Sequence, residues 1–475
     1  MTKFYLTTTL PYINSEPHIG FALEIVRADV LARSHRLSGD EVFFNTGTDE
    51  HGLKIWRKAE SLGLSVQEYC DRMAESFKEL KGLLDLSFDN FIRTTDAKHQ
   101  AAVQEFWRRC VASGDIYKKH YSVKYCVGCE MEKTDSELEN DRCPLHPGQD
   151  LELIDEENYF FRLSKYQDKL LALYSERPDF VLPENRLKEV KNFVASGLHD
   201  FSISRLASKL PWGIPVPGDE EQVMYVWFDA LVNYISALGW PEQEVNFSKW
   251  WPGVQIAGKD NLRPQALMWQ AMLLSAGLPN SQQIFINGFI TAGGQKMSKS
   301  LSNVVSPKEL VEKYGGDAVR YFLLAEINDR EDGDYTEDRF IDSYQANLAN
   351  GLGNLFSRLG NLAWKYGLEP VNKGDNGELS TKVEQLVKDW HFNQALNEIW
   401  SIYRQLDAKL TEQQPWKLEP DQAKACLIPL INEFVAATSA LRPFLPTTAE
   451  KILNFFSQNF VGKPEPLFPR VDNIN

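Results

Sequence analysis

No stretch of this 475-residue chain reaches the ~18 consecutive apolar residues of a membrane-spanning helix, so none is expected. Met1-Thr2-Lys3-Phe4 runs straight into a strand-like segment and lacks the apolar core of a signal peptide, which makes the cytoplasm the expected location. Positive charge is in deficit: 51 Lys and Arg against 66 Asp and Glu give a net charge of −15. That disfavours a general polyanion binder but leaves RNA open, because RNA binding depends on where the cations sit. Cysteine is scarce, with 6 in all, and three lie between 126 and 143, which suits a metal site and not a disulfide framework. No internal repeat or low-complexity tract is present. A 43 % apolar and 12 % aromatic content marks a soluble globular chain of two to four domains.

What is present gathers in short stretches. Gly293-Gly294 open a flexible turn, and Lys296 and Lys299 then flank Ser298 before a helix pattern begins after Pro307. A mobile cationic loop with hydroxyl donors suits a polyphosphate on which charge is building, although lysines in a Gly/Ser loop are also ordinary solvated surface. At the other end, Phe4 to Leu10 reads as a buried strand, and Phe21 to Ser38 as an amphipathic helix with Leu23, Val26, Val30 and Leu31 on one side. Strand, loop and helix in this order begin a nucleotide-type parallel sheet, with His18 and Gly20 at a helix N-terminus suited to phosphate. His18 alone reads first as a structural residue. Glu41 to Thr46 is a second strand, and Asp49 beyond it is by itself a helix N-cap candidate.

Cys126-x2-Cys129 followed by Cys143-x2-His146 supplies three thiols and an imidazole, a closed tetrahedral set for a structural Zn2+. The alternative is a group of unliganded thiols exposed to oxidation. Met224 to Trp227 reads as a strand, and Phe228 to Ile235 has helical spacing that by itself means core. Ile284 to Thr291 is a buried parallel-type strand that delivers the chain to the lysine loop. From Pro307 the pattern is helical, with one long helix over Ala346 to Tyr366 that places Asn354 and Arg358 on a shared face. Pro415-Trp416 ends a later helix, and Val371 to Thr381 is the expected linker.

Together and in order, His18-Ile-Gly-Phe21, Phe44 to Gly52 (FNTGTDEHG), the Cys/His knuckle, Tyr225 to Ala230 (YVWFDA), Gly258-Lys-Asp260, Lys296 to Ser300 (KMSKS) and Gln414-Pro-Trp416 resemble the methionyl-tRNA synthetases among class I aminoacyl-tRNA synthetases. The resemblance implies an α/β Rossmann-type catalytic domain with a zinc-knuckle insertion, followed by an all-α anticodon-binding bundle. It divides the chain into residues 1–116 and 212–304 as the two catalytic halves, 117–211 as the insertion with the knuckle at 126–146, 305–344 as a stem-contact region and 345–475 as the bundle. There is no room for the large editing domain of the isoleucine, valine and leucine enzymes, nor for an appended C-terminal domain, so a monomer is expected.

The activity implied is methionine–tRNA ligation with ATP and Mg2+, on initiator and elongator tRNA(Met). ATP would meet His18, Gly20, Gly258, Asp260, Lys296, Ser298 and Lys299, with His18, Lys296 and Lys299 in catalysis. L-methionine would meet Leu10, Tyr12, Asp49, Trp227, Ala230, Leu231, Tyr234, Asn261 and Gln265, an aromatic slot suited to a thioether. Asn354, Arg358 and Trp416 would read the anticodon. Three positions depart from the family pattern: Phe21 stands in place of a second His, Asn261 where an aliphatic residue is common, and Gln265 where a His usually lines the pocket. Asn261 and Gln265 leave a more polar amino acid open as substrate. Phe21 leaves open a tRNA-binding relative without adenylate chemistry.

Overall fold

The computed structural model describes residues 2–128, 131–133, 135–297, 303–371, 377–458 and 462–470. Cys129, Ser298 and Lys299, three of the expected site residues, lie outside these ranges.

A 6-stranded parallel sheet organises the molecule, in the order 90–93, 41–48, 3–8, 254–258, 283–287, 181–182. Alternate side chains face opposite layers. Phe4, Leu6, Ile256 and Phe285 enter a core shared with the first helix and the C-terminal helices. Tyr5, Ala257, Ile284 and Ile286 enter a second core on the other face. The chain builds outward from 3–8 in one direction and returns on its other side at 254–258, so a crevice opens beyond the carboxyl ends of these two strands. The edge strand Val181–Leu182 comes from the stretch expected to be insertion.

The helix after the first strand spans Ile19–Leu37 and is not amphipathic: Ile19, Leu23, Ile25, Val26, Ala28 and Val30 are buried around its whole circumference. It runs between the sheet and the C-terminal helices, so both sides meet protein. Its two charges inside are paired. Arg27 donates to Asn287 Oδ1 (2.8 Å) and to the Asn328 carbonyl (2.9 Å), and Asp29 meets Arg320 at 2.8 Å.

Two strand expectations shift. The run Met224 to Trp227 divides, with a strand over Asp219–Met224 and a helix over Val226–Ala230, since a short apolar run does not distinguish strand from helix. The segment Ile284 to Thr291 also divides. Its first part, Gln283–Asn287, belongs to the main sheet, and Ile290–Ala292 pairs in a separate 3-stranded sheet. The break falls at Gly288, where a Cβ would lie 2.2 Å from the Glu331 carbonyl oxygen. The turn at Gly293-Gly294 is a tight hairpin with φ of 62° and 73°, both in the region glycine favours, and its register pairs Thr291 with Lys296.

Ile116–Cys126 and Glu152–Phe161 form a long antiparallel pair that carries the cysteine knuckle between them. The segment expected as one helix from Ala346 is continuous to Tyr366, but its first part, Tyr344–Gly353, is wound as π-helix. The expected linker enters a helix at Gly377. Pro420–Leu441 is long and apolar enough by composition to cross a membrane, but over half of that window is buried in the bundle. Trp390 stacks flat on Phe285 (4.2 Å between centroids), so the bundle shares a core with the sheet.

Candidate functional site

A cavity of about 770 Å3 fills the crevice beyond strands 3–8 and 254–258. It gathers Leu10, Tyr12, His18, Asp49, Trp227, Ala230, Leu231, Tyr234, Asp260, Asn261, Gln265 and Lys296, which come from six separated stretches of sequence. Phe21 lines it too, with its ring edge-on to Phe77 (5.4 Å).

His18 caps the first helix. Its Nδ1 accepts from the Gly20 N–H at 3.1 Å, which leaves the ring proton on Nε2. Burial lowers its pKa, and the nearby Asp260 carboxylate only partly offsets this, so the imidazole is held neutral. Gly20 has to be glycine here, since a Cβ would stand 2.8 Å from His18 Cε1. Gly258 is similarly tight, its Cβ position being 2.9 Å from Asp260 Oδ1. Asn261 donates to Asp260 Oδ1 at 3.2 Å and so braces the acidic residue.

Asp49 is 6 % exposed, and its backbone is stitched to the opposite loop through Asp49 N–H to Pro11 O (3.0 Å) and Ile13 N–H to Asp49 O (3.2 Å). Gln265 donates its amide N–H to the Tyr234 hydroxyl oxygen and accepts from Gln255 Nε2 at 3.2 Å. Trp227, Ala230, Leu231 and Tyr234 supply an apolar wall beside Leu10 and Tyr12. Lys296 reaches the cavity from the hairpin of the small sheet and not from the main sheet, its Nζ lying 5.3 Å from the Phe289 ring.

The knuckle roofs the cavity through Gly128, Pro144, Leu145 and His146. The ligand atoms of Cys126, Cys143 and His146 lie within 4.8 Å of one another, and His146 Nδ1 is 3.7 Å and 4.0 Å from the two sulfurs. A tetrahedral ion with bonds of about 2.0–2.3 Å puts such atoms roughly 3.5–3.8 Å apart, so the donor set fits. Burial, then the ammonium groups of Lys54, Lys296 and Lys133, lowers the His146 pKa and favours the neutral, ligating form. A Cβ at Gly128 would sit 2.4 Å from His146 Cγ, so the knuckle turn requires glycine.

Elsewhere, on the bundle, the Arg358 guanidinium lies 5.7 Å from the Trp416 ring, and Asn354 is exposed one helical turn from Arg358.

Sequence reasoning missed several residues. Lys54 hydrogen-bonds the Gly128 carbonyl and lies over Tyr12, tying the roof to the floor. Glu24 is buried beneath the nucleotide turn and accepts from Thr9 N–H (2.8 Å) and Thr9 Oγ1 (2.5 Å). A carboxylate inside an otherwise apolar helix face was the available signal. Burial drives the Glu24 pKa up to about 8, the Thr9 hydrogen bonds opposing and Asp260 adding to the rise. The native state therefore holds a proton that the unfolded chain has lost, and this contribution to stability falls as pH rises from about 4.5 to about 8. Glu24→Gln cannot ionise. Whatever its constant offset, the melting temperature of the variant relative to wild type is expected to climb by roughly 2–4 °C between pH 5 and 8, measured by calorimetry. A pH-independent difference would place an ionised carboxylate there.

The family model of tRNA synthetases class I (M) matches residues 4–150 and 129–360. The chain is 42 % identical to a methionine–tRNA ligase of Nostoc sp., covering 99 % of this chain and 97 % of that protein. It is 44 % identical to the methionine–tRNA ligase of Thermosynechococcus vestitus, over 94 % of this chain and 89 % of that protein. Among solved structures, Mycobacterium tuberculosis methionyl-tRNA synthetase in complex with methionyl-adenylate superposes with a TM-score of 0.88 at 36 % identity, covering 99 % of both chains. The chain belongs to the methionyl-tRNA synthetase family of class I tRNA synthetases.

Proposed function

We propose that this chain is a methionine–tRNA ligase that activates methionine with ATP and charges tRNA(Met), initiator and elongator alike, as a cytoplasmic monomer. The observation that carries this is one cavity combining an apolar slot, a buried acid, an imidazole and an ammonium group, in a chain that superposes on a synthetase bound to methionyl-adenylate.

In this scheme a methionine carboxylate oxygen attacks the ATP α-phosphorus, a new O–P bond forms, and diphosphate leaves. A hydroxyl of the terminal tRNA adenosine then attacks the acyl carbon and AMP departs. No side chain needs to become covalently bound, so rate comes from placement and electrostatics. His18 Nε2–H donates to the α-phosphate, and Lys296 and Lys299 take the leaving diphosphate, with Ser298 beside them. Gly20 and Gly258 leave room for the nucleotide, and Asp260 holds the ribose hydroxyls. Asp49 receives the methionine ammonium. Leu10, Tyr12, Trp227, Ala230, Leu231 and Tyr234 enclose the side chain, with Asn261 and Gln265 at its margin. Gln265 occupies the position of an imidazole in the family and still anchors Tyr234, which supports methionine over a more polar substrate. Mg2+, when bound, neutralises charge on the polyphosphate. Asn354, Arg358 and Trp416 read the anticodon.

Amino-acid-dependent ATP–diphosphate exchange tests the assignment. Exchange confined to methionine is expected. Exchange with another amino acid would overturn the pocket, and none at all, from folded protein that still binds tRNA(Met), would leave a binding protein.

Cys126, Cys129, Cys143 and His146 hold a structural Zn2+. One zinc per chain is expected by elemental analysis. Because the knuckle forms part of the cavity roof, its removal by a chelator is expected to lower methionine exchange by roughly 10-fold. Exchange unaffected by complete zinc loss would detach the knuckle from the site.

A further inference from the structure

Behind the methionine wall, two imidazoles converge on one carboxylate. Asp229 is fully buried; His51 Nδ1 lies 2.6 Å from its Oδ2 and His99 Nε2 2.8 Å from its Oδ1. The other His99 nitrogen, Nδ1, is 2.8 Å from Ser236 Oγ. Both imidazoles are buried too, and neither touches the cavity. The carboxylate accepts from both rings, and His99 bridges it to the Ser236 hydroxyl.

The positions of these groups along the chain give the cluster its meaning. Residues 226–236 form one wall of the cavity, contributing Trp227, Ala230, Leu231 and Tyr234. His99, on helix Ala97–Ala112, grips that wall at both ends, through Asp229 and through Ser236. His51 lies two residues beyond Asp49, whose backbone is bonded to the loop at Pro11 and Ile13. The His51–Asp229 bond thus joins the acidic side of the pocket, from the first catalytic half, to the aromatic side, from the second. Trp227 has no such bond of its own: its indole N–H is buried without a hydrogen-bond partner. The ring is therefore aimed by its backbone, and Asp229, two residues on, fixes that backbone.

We propose that Asp229, with His51 and His99, is a positioning device that sets the distance between Asp49 and the Trp227–Tyr234 wall, and with it the fit of the amino-acid side chain. This rests on the methionine-ligase assignment above. The device touches neither ATP nor the reacting atoms, so its loss should act on methionine recognition and spare the chemistry.

Asp229→Asn tests it with little change of shape. The amide oxygen can still accept from one ring, but the amide N–H2 meets the other ring's donor. In methionine-dependent ATP–diphosphate exchange, KM for methionine is expected to rise by about 10-fold or more, with kcat and KM for ATP within roughly 2-fold of wild type. Discrimination between methionine and norleucine, which differ only in the thioether, is expected to weaken. His99→Gln can donate to Asp229 and accept from Ser236, so it should remain near wild type, whereas His99→Leu should behave like Asp229→Asn. Methionine binding followed by tryptophan fluorescence without ATP gives the same comparison independently of chemistry. If kcat and both KM values shift together, or none shifts, or His99→Gln is as impaired as His99→Leu, the positioning role is overturned. Wild-type protein without methionine exchange would instead sink the ligase assignment itself.

Discussion

Replacing His18 with alanine is expected to slow methionine-dependent ATP–diphosphate exchange by roughly 10²–10³-fold, the cost of removing one preorganised donor from a site where phosphate charge develops. The proposed function gives this imidazole a second duty beside its cap, and one substitution would confuse the two. Its Nδ1 accepts from the Gly20 N–H and caps the helix, while its Nε2–H remains to donate outward. Asparagine is a good helix cap but cannot reach as far. His18→Asn should therefore keep the wild-type melting temperature and lose as much exchange activity as alanine. Phe21 offers no second donor, so nothing at that position softens the loss. Acid should act on the same group. Because burial sets the folded pKa below 6.5, the cap is fully made above that pH and is lost as pH falls through the lowered folded value. Exchange retained by both variants to within about 3-fold would remove His18 from the chemistry.

Departures from expectation arise mainly where tertiary context overrides a local pattern. The parallel sheet and its crevice follow from apolar strands separated by loops that end in Pro, Gly and Asp, and these signals are local. The first helix misleads because its polar-looking side carries Arg27 and Asp29, which local periodicity assigns to solvent. Both are buried against partners some 300 residues away in sequence. Gly288 resembles any other strand glycine until the Glu331 carbonyl arrives from a distant loop. The split at Tyr225 has the same origin, since Asp229 turns inward only because His51 and His99 are there to receive it. Among the cavity residues, His18, Asp49, Trp227, Ala230, Asp260 and Lys296 were legible as members of ordered motifs, and Leu10, Tyr12, Leu231, Tyr234, Asn261 and Gln265 only through the resemblance as a whole. Glu24 and Lys54 belong to no quoted motif, and His51 and Asp229, though inside FNTGTDEHG and YVWFDA, take their importance from each other and from His99 in three dimensions.

Removing the Trp416 side chain is expected to separate charging from activation. Helix Phe392–Gln413 stops at Gln414, which takes a left-handed φ of 44°, and a 3-10 turn over Pro415–Lys417 follows. Pro415 is buried, and its carbonyl accepts from the Tyr366 hydroxyl at 3.2 Å, so the turn is anchored on the helix that carries Asn354 and Arg358. The indole next to this anchor stays 40 % exposed, a large aromatic face with a guanidinium 5.7 Å from its centre. Arg358 is held by Asp407 and by Thr411 Oγ1 (3.1 Å), so the guanidinium is fixed beside the indole. Stacking of a splayed base on such a face contributes about 1–3 kcal/mol, and Trp416→Ala should therefore lower kcat/KM for tRNA(Met) by roughly 5- to 150-fold. Arg358→Ala should fall in the same range, and the double variant should lose less than the product of the two if both side chains meet one base, as neighbouring partners couple. Methionine-dependent exchange, which needs no tRNA, should stay at the wild-type level in all three. Equal losses in exchange and charging would mean that the turn supports the fold. Undiminished charging would mean that this exposed indole reads nothing.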